Sequence, residues 1–283
     1  ERQGNWGYWV DYSELARYNP FTIQTRLGGI GTTTQTINGL GAAQNVQLEM
    51  ERKRFTLDLN KFLPAGYDFE VRYTHEDKTG DRMYGQGTFT TWRFLAEPIN
   101  WTTQQVDATL RYTGEDLQLS GGYYGAWFEN SNPALNITNS IAPLSPMALP
   151  PGNQSNQANL SGGYTFSPTT RGNFKAAYTR QLQSQAFIIP SATGASNLQG
   201  RVDTYLGQAG LTSQLTNKLS MLADLRYENR DDKTPILQYC NAATLAGLAN
   251  TTFDCTNEPR SARTNDSKLQ ASYVLPMGFR FTG

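Results

Sequence analysis

WTTQQVDATLRYTGEDLQLSGGYYGAWFEN, residues 101–130, decides the fold class of this chain. Val106, Ala108, Leu110 and Tyr112 alternate with Asp107, Thr109 and Arg111, and after Gly114-Glu115-Asp116 the alternation resumes with Leu117, Leu119, Gly121, Tyr123 and Trp127. A period of two gives a strand one apolar and one polar face. The short polar break containing Gly marks a tight turn, so the stretch predicts an antiparallel hairpin.

The same unit recurs on both sides. Leu160, Gly162, Tyr164 and Phe166 lead into Ser167-Pro168-Thr169-Thr170, with Phe174, Ala176 and Tyr178 beyond. Leu219, Met221, Ala223, Leu225 and Tyr227 follow Thr216-Asn217-Lys218, while Leu269, Ala271, Tyr273 and Leu275 precede Pro276-Met277-Gly278 and then Phe279 and Phe281. Near the start, Phe55, Leu57 and Leu59 approach Leu63-Pro64-Ala65-Gly66, and Tyr67, Phe69, Val71 and Tyr73 leave it. Two places are less regular. Between Val46, Leu48, Met50 and Phe55 the parity changes, which a bulge near Glu51 to Arg54 or the membrane boundary would reconcile. In 201–211, Tyr205, Gly207, Ala209 and Leu211 compete with Val202 and Leu206, so that strand is placed by its neighbours.

Between the hairpins lie long segments rich in Pro, Asn, Gly, Thr and Ser, approximately Glu14 to Asn45, Asp77 to Asn100, Ser131 to Gln157, Gln185 to Gly200 and Lys233 to Thr264. Strict alternation of short turns with long loops is the asymmetry of an outer-membrane barrel. A soluble β-sandwich also alternates apolar with polar residues, but three features favour the membrane. The strands reach the roughly ten residues that cross a bilayer at a tilt. Aromatics stand near strand ends, as at Trp6, Tyr8, Tyr12, Tyr73, Trp101, Trp127, Tyr178 and Tyr227, where interfacial girdles belong. Charged residues oppose the apolar set: Asp68, Glu70, Arg72, Asp107, Arg111, Lys175, Asp224, Arg226, Glu228 and Lys268. A Lys or Arg facing mid-membrane lipid would cost about 2–4 kcal/mol, whereas one lining a wet or protein-filled lumen incurs no such penalty.

The expected fold is therefore all-β: a transmembrane, antiparallel, up-and-down β-barrel forming a single domain over 1–283, integral to a bacterial outer membrane. At about one strand per 25 residues, about eleven strands are expected. That number is odd, and the chain closes on Phe281-Thr282-Gly283 just after a turn, so the expectation is a fragment of a larger barrel, incomplete at its C-terminal end.

Composition agrees, with 26 Gly, 15 Tyr, 13 Phe and 5 Trp in 283 residues favouring strands and turns. The formal net charge is zero and Lys and Arg form no run, which argues against nucleic acid as a partner. No stretch approaches the ~18 apolar residues of a membrane helix. The negative mean hydropathy is no sign of solubility, because barrel strands conceal their hydrophobicity in alternation.

Little chemistry can be assembled. With two Cys and one His there is no Cys-x-x-Cys-His for covalent haem, and His75 alone builds neither a triad nor a histidine-rich metal centre. Asp77, Asp81, Asp231, Asp232, Asp254 and Asp266 fall in loops without EF-hand spacing and read as solvated charge. No catalytic, cofactor-binding or metal-ligating residue is expected, and the chain does not read as an enzyme. Cys240 and Cys255 share one long loop, and in an exported protein a disulfide closing ~15 residues would contribute about 3 kcal/mol.

Beyond these patterns, YTHEDKTG (73–80), NWTTQQVDATLRYTGEDLQLSGGYYGAWFENSN (100–132), MALPPGNQSNQANLSGGYTFSPTTRGNFKAAYTRQLQSQ (147–185) and RYENRDDKTP (226–235) resemble, in order, segments of the decahaem-associated outer-membrane β-barrels of the MtrB/PioB type. The resemblance implies a porin-like sheath of about 26 or more strands around a periplasmic decahaem-type cytochrome. Haem c would belong to that partner and not to this chain. Outer-membrane lipid is a further partner, and an extracellular multihaem cytochrome a candidate one. The charged residues named above become candidates for cytochrome contact, with pore hydration or cross-strand pairing as the plainer reading. Ser155 or Gln157 stands where the family's Asn-Gln loop carries His, and the later half of the family's barrel is missing. A diffusion porin or substrate-specific channel is the alternative function.

Mass spectrometry of the unreduced protein is expected to find Cys240 and Cys255 in one cross-linked peptide pair; two free thiols would reject the disulfide.

Overall fold

The computed structural model describes residues 2–37, 42–87, 92–139, 146–189, 191, 194–239, 256–275 and 279–283. Cys240, Cys255, Asp254 and the turn Pro276-Met277-Gly278 lie outside the described residues. One antiparallel sheet dominates. Its strands in chain order are β1 (Trp6–Tyr18), β2 (Glu49–Phe62), β3 (Tyr67–Gly87), β4 (Trp92–Thr113), β5 (Leu117–Asn130), β6 (Asn153–Ser167), β7 (Thr170–Gln183), β8 (Gly200–Gln214), β9 (Leu219–Asp232), β10 (Ala262–Val274) and β11 (Arg280–Thr282). Arg2–Gln3 folds back onto the start of β1. Spatial order equals chain order throughout, so each strand pairs with its sequence neighbours in an up-and-down meander.

Strands β1 to β10, of 13 to 22 residues, exceed the ~9–11 that span a hydrocarbon core at a tilt. Their register shows the tilt. The row Tyr67–Tyr112–Leu119–Gly162–Phe174–Ala209–Leu225–Ser267 begins beside the first short turn and ends in the middle of β10. A row perpendicular to the strands therefore climbs relative to the turns, which is the stagger a closing barrel requires. The first turn is tight enough to demand glycine: Gly66 has φ 81, and a Cβ there would collide with the Thr113 carbonyl of β4.

The parity read from the sequence holds. Tyr8, Val10, Phe55, Leu59, Phe69, Leu110, Tyr123, Leu160, Phe174, Tyr205, Leu211, Leu225 and Leu269 share one face and are all exposed in the isolated chain. An apolar surface of that extent belongs in lipid. In β8 the face carrying Tyr205, Gly207, Ala209 and Leu211 is the apolar one, fixed by the pairing Tyr178↔Tyr205.

Several expectations change, and Asp77, Asp81, Asp231 and Asp232, expected in loops, lie on β3 and β9. The supposed loop from Asp77 to Asn100 is mostly strand: β3 and β4 stay paired in unbroken register from Tyr67↔Tyr112 to Gly87↔Trp92. Its polar side chains suited a loop, but a hairpin in water needs no apolar alternation once both edges are satisfied. No bulge occurs at Glu51–Arg54, because β2 pairs continuously on both sides; Met50 lies past the membrane boundary on the polar face. Trp101 has the parity of Asp107 and stands on the polar face, its ring 5.7 Å from Phe128 with Lys78 and Arg82 over it, so it is no part of an outer girdle.

The extended hairpin carries a cap. Thr34–Ile37 pairs in parallel with Ala134–Asn139, flanked by Leu27–Gly28 and Met147–Ala148, to make a second, four-stranded sheet. Leu27, Leu95, Leu135, Ile137 and Leu149 form its buried core, with Tyr84 against it. Tyr84 pairs with Leu95, and both share the parity of Arg72 and Asp107, so the cap covers the polar side of the hairpin. Gln35 locks it: its fully buried amide accepts from the Ala96 N–H at 3.1 Å and donates to the Ala96 carbonyl, substituting for a strand beyond the end of β5. Asp81 sits at the same junction, where burial pushes its carboxyl above the usual range and the Gly31 N–H it accepts partly offsets this.

Two outcomes test this arrangement. Leu160→Arg should block membrane insertion at a cost of about 2–4 kcal/mol, whereas Ser161→Arg on the opposite face should insert normally, as read by heat-modifiable gel mobility. Gln35→Leu should leave insertion intact but strand the Ala96 N–H and C=O at about 1–3 kcal/mol each, opening 92–99 to hydrogen exchange. Because the Asp81 carboxyl is raised in the fold, the cap's stability falls as pH rises from the ordinary carboxylate value through the raised one. Asp81→Asn, which keeps the acceptor for Gly31, should abolish that fall in limited proteolysis.

Candidate functional site

The face opposite the apolar one is the candidate site, and its side chains are arranged in two charged clusters divided by a neutral strip. The first lies on β2, β3 and β4, where register places Asp58, Arg72 and Asp107 in one row and Asp68 beside Arg111 in another. Arg72 holds Asp58 through Nη2 at 2.6 Å and Nε at 2.8 Å, with Glu70 at 3.3 Å. Arg111 bridges Glu70 at 2.8 Å and Asp68 at 3.1 Å, while Asp107 accepts from the Thr109 hydroxyl at 3.2 Å. Four carboxylates against two guanidinium groups leave this cluster with two surplus negative charges.

The second cluster occupies β7 to β10. Lys175, Gln208, Arg226 and Asp266 share one row, and Asp224 faces Lys268 in the next. Arg226 donates to Glu228 at 2.5 Å. A hollow of about 340 Å³ opens among Asn173, Gln208, Asp224, Arg226, Asp266 and Lys268. Here three cations, Lys175, Arg226 and Lys268, meet three carboxylates, Asp224, Glu228 and Asp266, so the charges balance.

Between them β5 and β6 present Gln118, Ser120 and Gly122 against Gly163, Ser161 and Asn159. These small neutral residues leave a hollow of about 550 Å³ whose rim includes Arg111 and Lys175, one from each cluster. A wall of this kind can hydrate a pore or receive a polar surface.

All ten charged positions expected to oppose the apolar set do so, and the structure gathers them five and five. Asp58 and Asp266 are added to them. Asp58 was legible in the alternation with Leu57 and Leu59; Asp266 was assigned to a loop, because the Asn, Asp and Ser around it mask the strand that β9 pairs with. His75 is on the outward face near the rim, its Nε2 3.0 Å from Asp77, which also accepts from Thr102 at 2.7 Å. The described residues hold no cluster of metal-ligating side chains.

Comparison with known proteins places this architecture. The chain is 23% identical over 306 residues to the outer membrane protein MtrB of Shewanella baltica (strain OS185), covering 100% of this chain and 43% of that protein. It thus spans less than half the length of that curated relative. Among solved structures it is similar to the copper transporter OprC, with 12% identity over 98% of this chain and 44% of that one at a TM-score of 0.47. OmpT of Vibrio cholerae gives 13% identity over 84% and 61% at 0.41. The family model described as "outer membrane beta-barrel porin, MtrB/PioB" matches residues 1–283, and the chain belongs to that family.

Proposed function

We propose that this chain forms part of the wall of a porin-like sheath that encloses a periplasmic multihaem c-type cytochrome and positions it for electron transfer across the outer membrane. The supporting observation is the polar face itself. Its charged side chains are held flat against the sheet by neighbouring ion pairs, flanking a neutral strip, which suits docking of a folded polar surface. In this reading haem c is carried by the partner, and the 283 residues themselves hold no Cys-x-x-Cys-His. The wall's contribution is to exclude lipid and bulk ions from the haem chain. An extracellular multihaem cytochrome is a second partner in this reading, meeting the end that carries the cap.

An open diffusion channel is the competing function, and the small neutral residues of the strip, whose hydroxyl and amide groups can hydrate a pore, are the feature that favours it. The full-length protein, purified from its native outer membrane, should bring down a haem-staining protein. In planar bilayers its conductance should fall when that protein is bound. A barrel that co-purifies with no haem protein and conducts freely is a diffusion channel, and the sheath reading then fails.

A further inference from the structure

The outward wall carries a charge cluster that the sheath function does not use. Arg180 on β7, Asp203 and Arg201 on β8, and Asp231 at the end of β9 belong to the lipid-facing parity, continuing Tyr178, Tyr205 and Tyr227 towards the long-loop end. Lys233 follows directly, tied to β8 by its N–H on the Arg201 carbonyl. Asp203 is fully buried beneath these side chains. Its Oδ1 accepts from Arg180 Nε at 3.1 Å and from the Tyr178 hydroxyl at 3.1 Å; its Oδ2 accepts from Arg201 Nη2 at 2.7 Å and Lys233 Nζ at 3.0 Å.

One carboxylate thus gathers three cations whose side chains remain 42%, 38% and 39% exposed. Asp231, 3.5 Å from Lys233, is the second carboxylate. Three positive charges against two negative leave a surplus cation on the outer surface, with both guanidinium groups fixed in place. Directly beneath are the Tyr178–Tyr205 ring pair, centroids 5.0 Å apart, and then Ala176 beside Gly207, where a Cβ on Gly207 would meet nothing within 4 Å. Tyrosines mark the level where hydrocarbon gives way to headgroups. Small residues below them leave a smooth track for an acyl chain.

We propose that Arg180, Arg201 and Lys233 bind the phosphate of a phosphorylated glycolipid of the outer leaflet, with Asp203 as the buried anchor that presents them. Position supplies the choice of ligand: the cluster faces membrane, not lumen, at headgroup height on the extracellular side. Chemistry agrees, because guanidinium groups take phosphate oxygens bidentately.

The test uses the full-length protein in detergent, stripped of lipid and offered diphosphoryl lipid A, monophosphoryl lipid A or inorganic phosphate, with bound lipid read by native mass spectrometry. Wild type should retain diphosphoryl lipid A best and monophosphoryl lipid A less. The triple variant Arg180→Gln, Arg201→Gln, Lys233→Gln should lose about tenfold or more in affinity. Lys53→Gln, an outward rim cation already paired with Glu51 at 3.0 Å, should bind as wild type. The charge-preserving pair Arg180→Lys, Arg201→Lys should bind between wild type and the triple variant, because the ammonium groups keep the charge and lose the bidentate fork. Equal retention by wild type and the triple variant overturns the proposal. So does equal loss in the charge-preserving variant, which would signal structural damage, or displacement by millimolar inorganic phosphate, which would signal a free-anion site.

Discussion

Within hydrocarbon no water is present to satisfy a peptide N–H or C=O, so each strand crossing the membrane must pair fully with its neighbours. The register of this sheet follows from that constraint and runs without a slip from Trp6 to Asp232 across β1 to β9, apart from one irregularity beside the β6–β7 turn. Once register is set, parity is set, and parity sends every side chain to lipid or to lumen. A shift of one residue would exchange the two faces of a strand entirely. The sheet consequently needs no hydrophobic core of its own. The clustered apolar core that is buried belongs to the cap, which stands in water and must exclude it.

Ion pairs on the polar face do a different job from hydrogen bonds in the cap. Arg72 and Arg111 remain 53% and 45% exposed, and pairs so open to solvent contribute about 0–1 kcal/mol each. Their effect is geometric: Arg72 is drawn along the sheet by Asp58 on β2 and Glu70 on its own strand, and Arg111 by Asp68 and Glu70 on β3, so the wall keeps a fixed relief. Gln35 is the reverse case. It carries no charge, yet it satisfies two backbone groups that would otherwise be buried unpaired, and with the Asn132–Pro98 hydrogen bond and buried Leu95 it ties the cap to β4.

The membrane-spanning part was legible because lipid on one side and polar interior on the other impose a period of two on each strand, as at 106–112 and 174–178. The placing of ten charges on the face opposite the apolar one followed from that period alone. The long-loop end was not legible, because beyond the apolar span the chain has no such rule to obey. Residues 77–100 are polar on both faces and still form a hairpin, and the cap's Leu27, Leu95, Leu135 and Leu149 meet from four separate segments. Asp203 was hidden differently. Arg180 extends the alternation of Phe174, Ala176 and Tyr178, so its outward direction could have been read, but its meeting with Arg201 and Lys233 appears only once β7, β8 and β9 are aligned.

Height relative to the membrane can be read from the same alignment. The row Asp58–Arg72–Asp107 falls between two outward-facing rows, Leu57–Tyr73–Val106 above and Leu59–Val71–Ala108 below. Arg226 falls likewise between Leu225 and Tyr227, both exposed on the apolar face. Both charged clusters therefore lie inside the apolar span, at a depth where the same side chains turned outward would cost about 2–4 kcal/mol each for Arg or Lys. Such charge is tolerable only because the interior supplies water or a polar surface at that depth. On the outer wall the first comparable grouping, Arg180 with Asp203, comes only above the tyrosines. The sheet thus separates its charges by face within the hydrocarbon and gathers them on the outside only where lipid headgroups begin.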